Sequence, residues 1–158
     1  TINLAGANWN ASVPTITEAG TNYAGTYNNP GLLTLSGHLP GSFLNLLGSS
    51  GAKISMQYVP TNWNSSLKLY AKRSGGSAVI NGLCVLCSVT FSGGTANYIE
   101  ILQSSAVTLS TITFGGVLGV NNSVDYSAVS VQLQMGGVSV TIPAASYSAQ
   151  IVFTIGAN

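Results

Sequence analysis

His38, Asp125, Glu18, Glu100 and the close pair Cys84 and Cys87 are nearly all this chain has for proton transfer, nucleophilic attack or metal binding. A Ser-His-Asp triad would require Asp125, the sole aspartate, to reach His38, the sole histidine, and no nucleophile-elbow sequence accompanies them. Glu18 and Glu100 are the minimum inventory for a glycosidase pair, which also needs further polar and aromatic contacts to a sugar. Cys84-Val-Leu-Cys87 has the spacing of redox and metal motifs, but no second cysteine pair, nearby histidine or helix start goes with it. It fails as a metal site on ligand count, and no residue pattern asks for a cofactor. In a regular strand, residues three apart face opposite sides, so a Cys84–Cys87 bridge requires a turn or bulge; a local disulfide and two buried thiols both fit the sequence. Lys53 or Lys68 with Glu100 could support a Lys–Asn isopeptide crosslink, although the spacing does not select it. The residues therefore read as a protein without catalytic activity.

The elements that carry them are strands. Period-two alternation recurs throughout and a 3.6-residue apolar stripe does not, which predicts strands over 53–59, 66–72, 78–91, 97–103, 107–114, 127–135, 138–142 and 147–155. The pairs Gly75-Gly76, Gly93-Gly94, Gly115-Gly116 and Gly136-Gly137 suit tight turns between them, with Pro30, Pro40, Pro60 and Pro143 at ends of runs. Phe43, Leu46 and Leu47 have near-helical spacing and predict a short helical turn. In the last strand Tyr147, Ala149, Ile151, Phe153 and Ile155 define an inward face against Ser148, Gln150, Val152 and Thr154. Many short strands at regular spacing predict an all-β sandwich.

Charge bounds the partners. Only 4% of the 158 residues are charged, against about 25% in an ordinary soluble domain, and the net charge of +1 leaves no basic footprint for nucleic acid and no polybasic membrane anchor. Apolar runs are broken well before the roughly 18 residues of a spanning helix, so membrane insertion is not expected. At 46% hydrophobic content the chain is the opposite of a disordered composition. A neutral surface of Ser, Thr, Asn, Gln and Gly points to an extracellular protein that lives in assemblies, present here without its leader. Asn10-Ala-Ser12, Asn64-Ser-Ser66 and Asn121-Asn-Ser123 are acceptor triplets, and N-linked glycans there would supply hydration that the missing charges do not.

The N-terminus stands apart. Ile2 and Leu4 alternate with Asn3, and after Gly6 the alternation continues as Trp9, Ala11 and Val13, with no hairpin turn tying this stretch to the next strand. It reads equally as an arm of residues 1–14 set off from a body of 15–158, and as an ordinary first strand. Pro143 to Ile155 resembles the closing strand of bacterial chaperone-usher pilins. The whole profile, nearly charge-free and all-β with an alternating arm and several sequons, is similar to the subunits of archaeal threads, glycosylated surface filaments of thermoacidophiles. That resemblance implies an immunoglobulin-like sandwich completed by the N-terminal strand of the next identical subunit, with Ile2, Leu4 and Trp9 as plugs. It also implies an extracellular filament serving adhesion or biofilm formation. The alternatives are a jelly-roll capsid or surface-layer protein, and a monomeric carbohydrate-binding adhesin domain that stacks sugars on Trp9 or Trp63.

Overall fold

A computed structural model describes residues 1–6, 8–13, 25–41, 51–116 and 121–158, with residues 30–32 in backbone only. The chain is nearly all β. Its strands are β1 (Ile2–Ala5), β2 (Gly25–Pro40), β3 (Gly51–Asn62), β4 (Lys68–Asn81), β5 (Ser88–Ser92), β6 (Ile99–Ile101), β7 (Val107–Gly115), β8 (Ser123–Val138) and β9 (Ser148–Ala157). They form a five-stranded sheet ordered β1-β2-β8-β4-β6 and a four-stranded sheet ordered β5-β7-β3-β9, with every pairing antiparallel. Within this order β2 pairs β8, β3 pairs β7 and β4 pairs β6. From β2 onward, successive strands alternate between the sheets. The pairings are nested, β2 with β8 outside β3 with β7 outside β4 with β6, in two antiparallel sheets.

One apolar core lies between the sheets. Leu35, Ala71, Val129 and Val131 from the first sheet meet Ala52, Ile54, Met56, Leu109 and Ile112 from the second, all essentially without solvent exposure. Alternation puts them there, since residues two apart share a face. In β4 the buried positions are Leu69, Ala71 and Arg73, but past Gly75-Gly76 the core-facing residues are Ala78 and Ile80. Opposite them in β8 the core-facing set switches from Val124 and Tyr126 to Val129, Val131 and Leu133 across Ala128, whose φ is 54°. Both strands change phase at the same level, with Gly75 and Gly76 at φ 65° and 102°, so the ladder from Lys68↔Gly136 to Asn81↔Ser123 keeps one register. Gly75-Gly76 was expected to make a hairpin turn. The positive φ is there, but it serves a mid-strand reversal of face.

Other expectations change for local reasons. The segment 78–91 is the end of β4, a turn and then β5, because the bridge between Cys84 and Cys87 closes that turn. Gly136-Gly137 lies inside β8, and of the stretch 138–142 only Val138 belongs to a strand, the end of β8; 139–142 form a turn in which the Ile142 N–H donates to the Ser139 carbonyl at 3.1 Å. Only 99–101 of the stretch 97–103 pairs as a strand. The helical turn at Phe43, Leu46 and Leu47 lies outside the described residues, as does Glu18. No helix among the described residues is long and apolar enough to cross a membrane.

Arg73 is 6% exposed without a carboxylate partner among the described residues. Its guanidinium donates from Nε to the Gly93 carbonyl at 2.7 Å and from an Nη to the Gly75 carbonyl, while stacking on the Phe91 ring at 4.6 Å. Carbonyl dipoles and a π face thus replace a counter-ion, and the side chain ties the β5–β6 connection to β4.

Candidate assembly interface at the N-terminal strand

β1 lies at the edge of the five-stranded sheet and pairs with β2 over four residues, Ile2↔Gly37 to Ala5↔Thr34. It also touches β9, the edge strand of the other sheet. Ile2 and Trp9 are half-buried against the core, whereas Leu4 is 54% and Val13 43% exposed. Gly6 follows the end of β1, and Asn10 and Ala11 face solvent. Of the three residues expected to plug a groove, Ile2 and Trp9 therefore rest on this chain's own core and Leu4 stands in water.

The beginning of the arm is fixed by polar contacts. The Thr1 nitrogen donates to the His38 carbonyl at 2.6 Å, and the Thr1 carbonyl accepts from the His38 N–H at 3.3 Å and from the Tyr126 hydroxyl at 3.0 Å. Gly37 makes room for this seat, because a Cβ there would overlap both the Thr1 carbonyl and the Tyr126 hydroxyl. Burial pushes the Tyr126 phenol up to about 12, so it stays a hydrogen-bond donor far above the usual range.

Beside this seat the sole histidine and the sole aspartate meet. His38 on β2 and Asp125 on β8 are cross-strand neighbours, with His38 Nδ1 to Asp125 Oδ1 at 2.6 Å. A carboxylate only accepts, so Nδ1 carries the proton. Asn81 donates from Nδ2 to the other carboxylate oxygen at 2.6 Å. These two hydrogen bonds, the one from His38 first, hold the Asp125 carboxyl below its ordinary value. Two members of a triad are therefore in contact, but both are half-exposed, and among the described residues no hydroxyl bonds the remaining histidine nitrogen. What the arrangement does is pin the ends of β2, β4 and β8 together where Thr1 is seated. Sequence distance hid this pair, although being the only residues of their types was a clue.

On the same flank β9 offers a free edge. Ten residues long, it is paired with β3 on one side and with no other strand among the described residues. Its core-facing Ala149, Ile151, Phe153 and Ile155 are only half-buried, and Val152 on the outer face is 38% exposed. An unpaired strand edge over half-covered apolar side chains is a surface that another strand can complete.

The remaining candidates lie elsewhere. Asn121 is exposed in a turn, and Asn64 is half-buried in an Asx turn in which its Oδ1 accepts from the Ser66 N–H at 2.9 Å. Trp63 is packed, donating from Nε1 to the Leu67 carbonyl at 3.2 Å with its ring 6.0 Å from that of Tyr58. Lys68 pairs with Glu100 at 3.2 Å, both half-exposed, whereas Lys53 sits on β3 opposite Thr111 and Gly156. No cluster of metal-ligating side chains occurs among the described residues.

No family model matches the chain, and neither a curated protein nor a solved structure does.

Proposed function

We propose that this chain is a structural subunit of an extracellular filament, in which the N-terminal strand of one copy completes the sandwich of the next. The observation that carries the reading is how separable β1 is. It is four residues long, sits at a sheet edge, leaves Leu4 in water, and is followed by β2 only nineteen residues later in the sequence. Nineteen residues of chain can reach at most roughly 60 Å, enough to carry β1 to a neighbouring molecule. The seat of Thr1 and the free edge of β9 lie on the flank such a strand would enter. An apolar groove and unpaired backbone are both costly in water, and one inserted strand removes both. Identical subunits would be the partners, and glycans at Asn10, Asn64 and Asn121 would hydrate the surface. Adhesion or biofilm formation is the role that suits such a polymer.

Deleting residues 1–13 tests this directly. The shortened protein is expected to stay folded and monomeric, to stop forming filaments in micrographs, and to bind a synthetic peptide of residues 1–13 at one to one. If it still polymerises, or if the full chain remains monomeric at every concentration, strand donation is wrong.

The nested strand pairing favours one other reading, a jelly-roll subunit of a capsid or surface layer. Closed shells or flat sheets in the same micrographs, surviving deletion of 1–13, would decide for it.

A further inference from the structure

Where the end of β3, the start of β4 and the end of β6 meet, the sandwich holds a cavity of about 350 Å3. That is near the lower bound of small-ligand sites, about 300–1,000 Å3. Its wall is of two kinds. Tyr58, Leu67, Leu69, Ile101 and Leu102 contribute apolar surface, and Lys68, Glu100, Gln103 and Ser104 bring polar groups to the same space. Leu67, Leu69 and Ile101 are buried, so that part of the wall is fixed by the core. Tyr58 is braced from behind by Trp63, whose ring lies 6.0 Å away and whose Nε1 donates to the Leu67 carbonyl at 3.2 Å.

The polar groups narrow the class of ligand. Lys68 and Glu100 pair at 3.2 Å, so the wall carries a charged donor and a charged acceptor that cancel. An ammonium only donates and a carboxylate only accepts, while the Gln103 amide and the Ser104 hydroxyl do both. An anion would meet Glu100, a cation would meet Lys68, and a wholly apolar group would strip water from polar side chains without replacing their hydrogen bonds. A peptide strand binds through unpaired backbone, yet here the Leu102 carbonyl accepts from the Tyr58 N–H at 3.2 Å and the Gln103 carbonyl from Gln57 Nε2 at 2.7 Å. A sugar ring avoids all of these costs. Its hydroxyls donate and accept, it carries no charge, and its C–H faces suit the surface of leucine and tyrosine.

We propose that this cavity binds a neutral saccharide unit, with Gln103, Ser104 and the Lys68–Glu100 pair bonding its hydroxyls and Tyr58 and Leu102 covering its C–H face. The site is built by β3, β4, β6 and the residues beside them, so it stands whether or not copies exchange their N-terminal strands. The saccharide has two sources. Asn64 opens an acceptor triplet, and its carbonyl accepts from the Leu67 N–H at 3.0 Å, so a glycan carried there would start beside the cavity wall. A saccharide from outside the protein is the other source.

Saturation-transfer NMR on the full-length chain, produced without glycosylation, tests the site whether the protein is assembled or not. The probes are methyl α-mannopyranoside, N-acetylglucosamine and maltose. At least one should bind, weakly as befits a small ligand in an open cavity, and glucuronate and glucosamine should bind about threefold more weakly, the size of an exposed charge effect. Gln103→Ala with Ser104→Ala, both at exposed positions, should weaken the neutral probe about fivefold, the worth of one hydrogen bond. Glu100→Gln leaves Lys68 without its partner and should turn the preference toward glucuronate, which a merely structural role for Glu100 would not do. No binding by any neutral probe, charged sugars bound equally well, or binding unchanged in the Gln103 and Ser104 double variant overturns the site. The glycosylated chain then separates the sources. Ser66→Ala removes the triplet and keeps the N–H that Asn64 Oδ1 holds; a probe signal seen only in that variant identifies the Asn64 glycan as occupant, and equal signals with and without the substitution identify an outside saccharide. Deleting residues 1–13 should leave every one of these signals in place, so failure of the cavity to bind sugar leaves strand donation standing.

Discussion

The first and last strands lie along the same flank of the sandwich, at the edges of opposite sheets, and are held by different physics. β9 runs for ten residues along β3, from Ala52↔Ala157 to Asn62↔Ser148, and turns Ile151, Phe153 and Ile155 toward the core. β1 runs for four residues along β2 and contributes only Ile2 to that core, its firmest hold being the hydrogen bonds of Thr1 to His38 and Tyr126. Apolar burial is non-directional and scales with area, so β9 belongs to the body wherever the body goes. A few directional bonds at an edge contribute about 1 kcal/mol each, can be exchanged for identical ones in a neighbour, and leave nothing unsatisfied once the exchange is complete. A strand that changed partners, as the proposed strand donation requires, would be better held by such bonds than by a core.

The sharpest way to break that contrast is to weaken each strand in turn. Phe153→Ala removes a half-buried ring from the β9 face, and about 2–3 kcal/mol of global stability should go with it, somewhat below the range for fully buried rings. Thermal unfolding would show a single transition moved down by many degrees. Should the midpoint stay in place, β9 is not the anchored strand of the pair. A smaller and local effect is expected from Tyr126→Phe, which deletes the hydrogen bond to the Thr1 carbonyl and keeps the ring. Loss of about 1 kcal/mol should appear as faster amide exchange in residues 2–5, with the main unfolding transition nearly unmoved. A large drop in the global midpoint would mean that β1 is as integral to the body as β9.

Much of this was legible from alternation. The expected strands 53–59, 107–114 and 147–155 fall on β3, β7 and β9; one phase runs the length of β3 and β9, whereas β7 shifts from Leu109 to Ile112 and Phe114 at an irregularity opposite Ile54 and Ser55. What failed was the meaning of glycine. Gly75-Gly76 looked like a turn because positive φ is common there, yet the apolar phase before it (Leu69, Ala71) and after it (Ala78, Ile80) differs by one residue, the mark of a strand that changes face and continues. Period-two patterns give the face a residue points to, not the strand beside it. The meeting of His38 with Asp125, and the nesting of β2 with β8, depend on the winding of the whole chain and were out of reach for that reason. The N-terminal segment was ambiguous in the sequence, as an arm or a first strand, and in the structure β1 takes the position of a first strand at the edge of its sheet.

The smallest expected effect concerns acid, and it bears on the polar hold alone. Asp125 is the one described carboxylate whose ionised form is clearly favoured by its surroundings, through the hydrogen bonds from His38 and Asn81. A carboxyl whose folded value lies below its unfolded value, about 3.9 for a free aspartate, contributes stability that is fully present above that unfolded value and is lost as pH falls through the folded one. Asp125 itself should therefore contribute no change to the seat of Thr1 from pH 7 to 4, and the loss of its contribution should lower amide protection in residues 2–5 only in more acidic solution. The pair is half-exposed, so the change is small. Asp125→Asn, which cannot titrate, should show the same protection factors in residues 2–5 at pH 4 and pH 2, once the intrinsic pH dependence of amide exchange is divided out, with β9 protected equally in both proteins. Equal acid sensitivity in the two proteins would remove Asp125 from the account of how β1 is held. With three carboxylates in the whole chain, acid has few other handles on this fold, and the joint at Thr1 is where its effect should be concentrated.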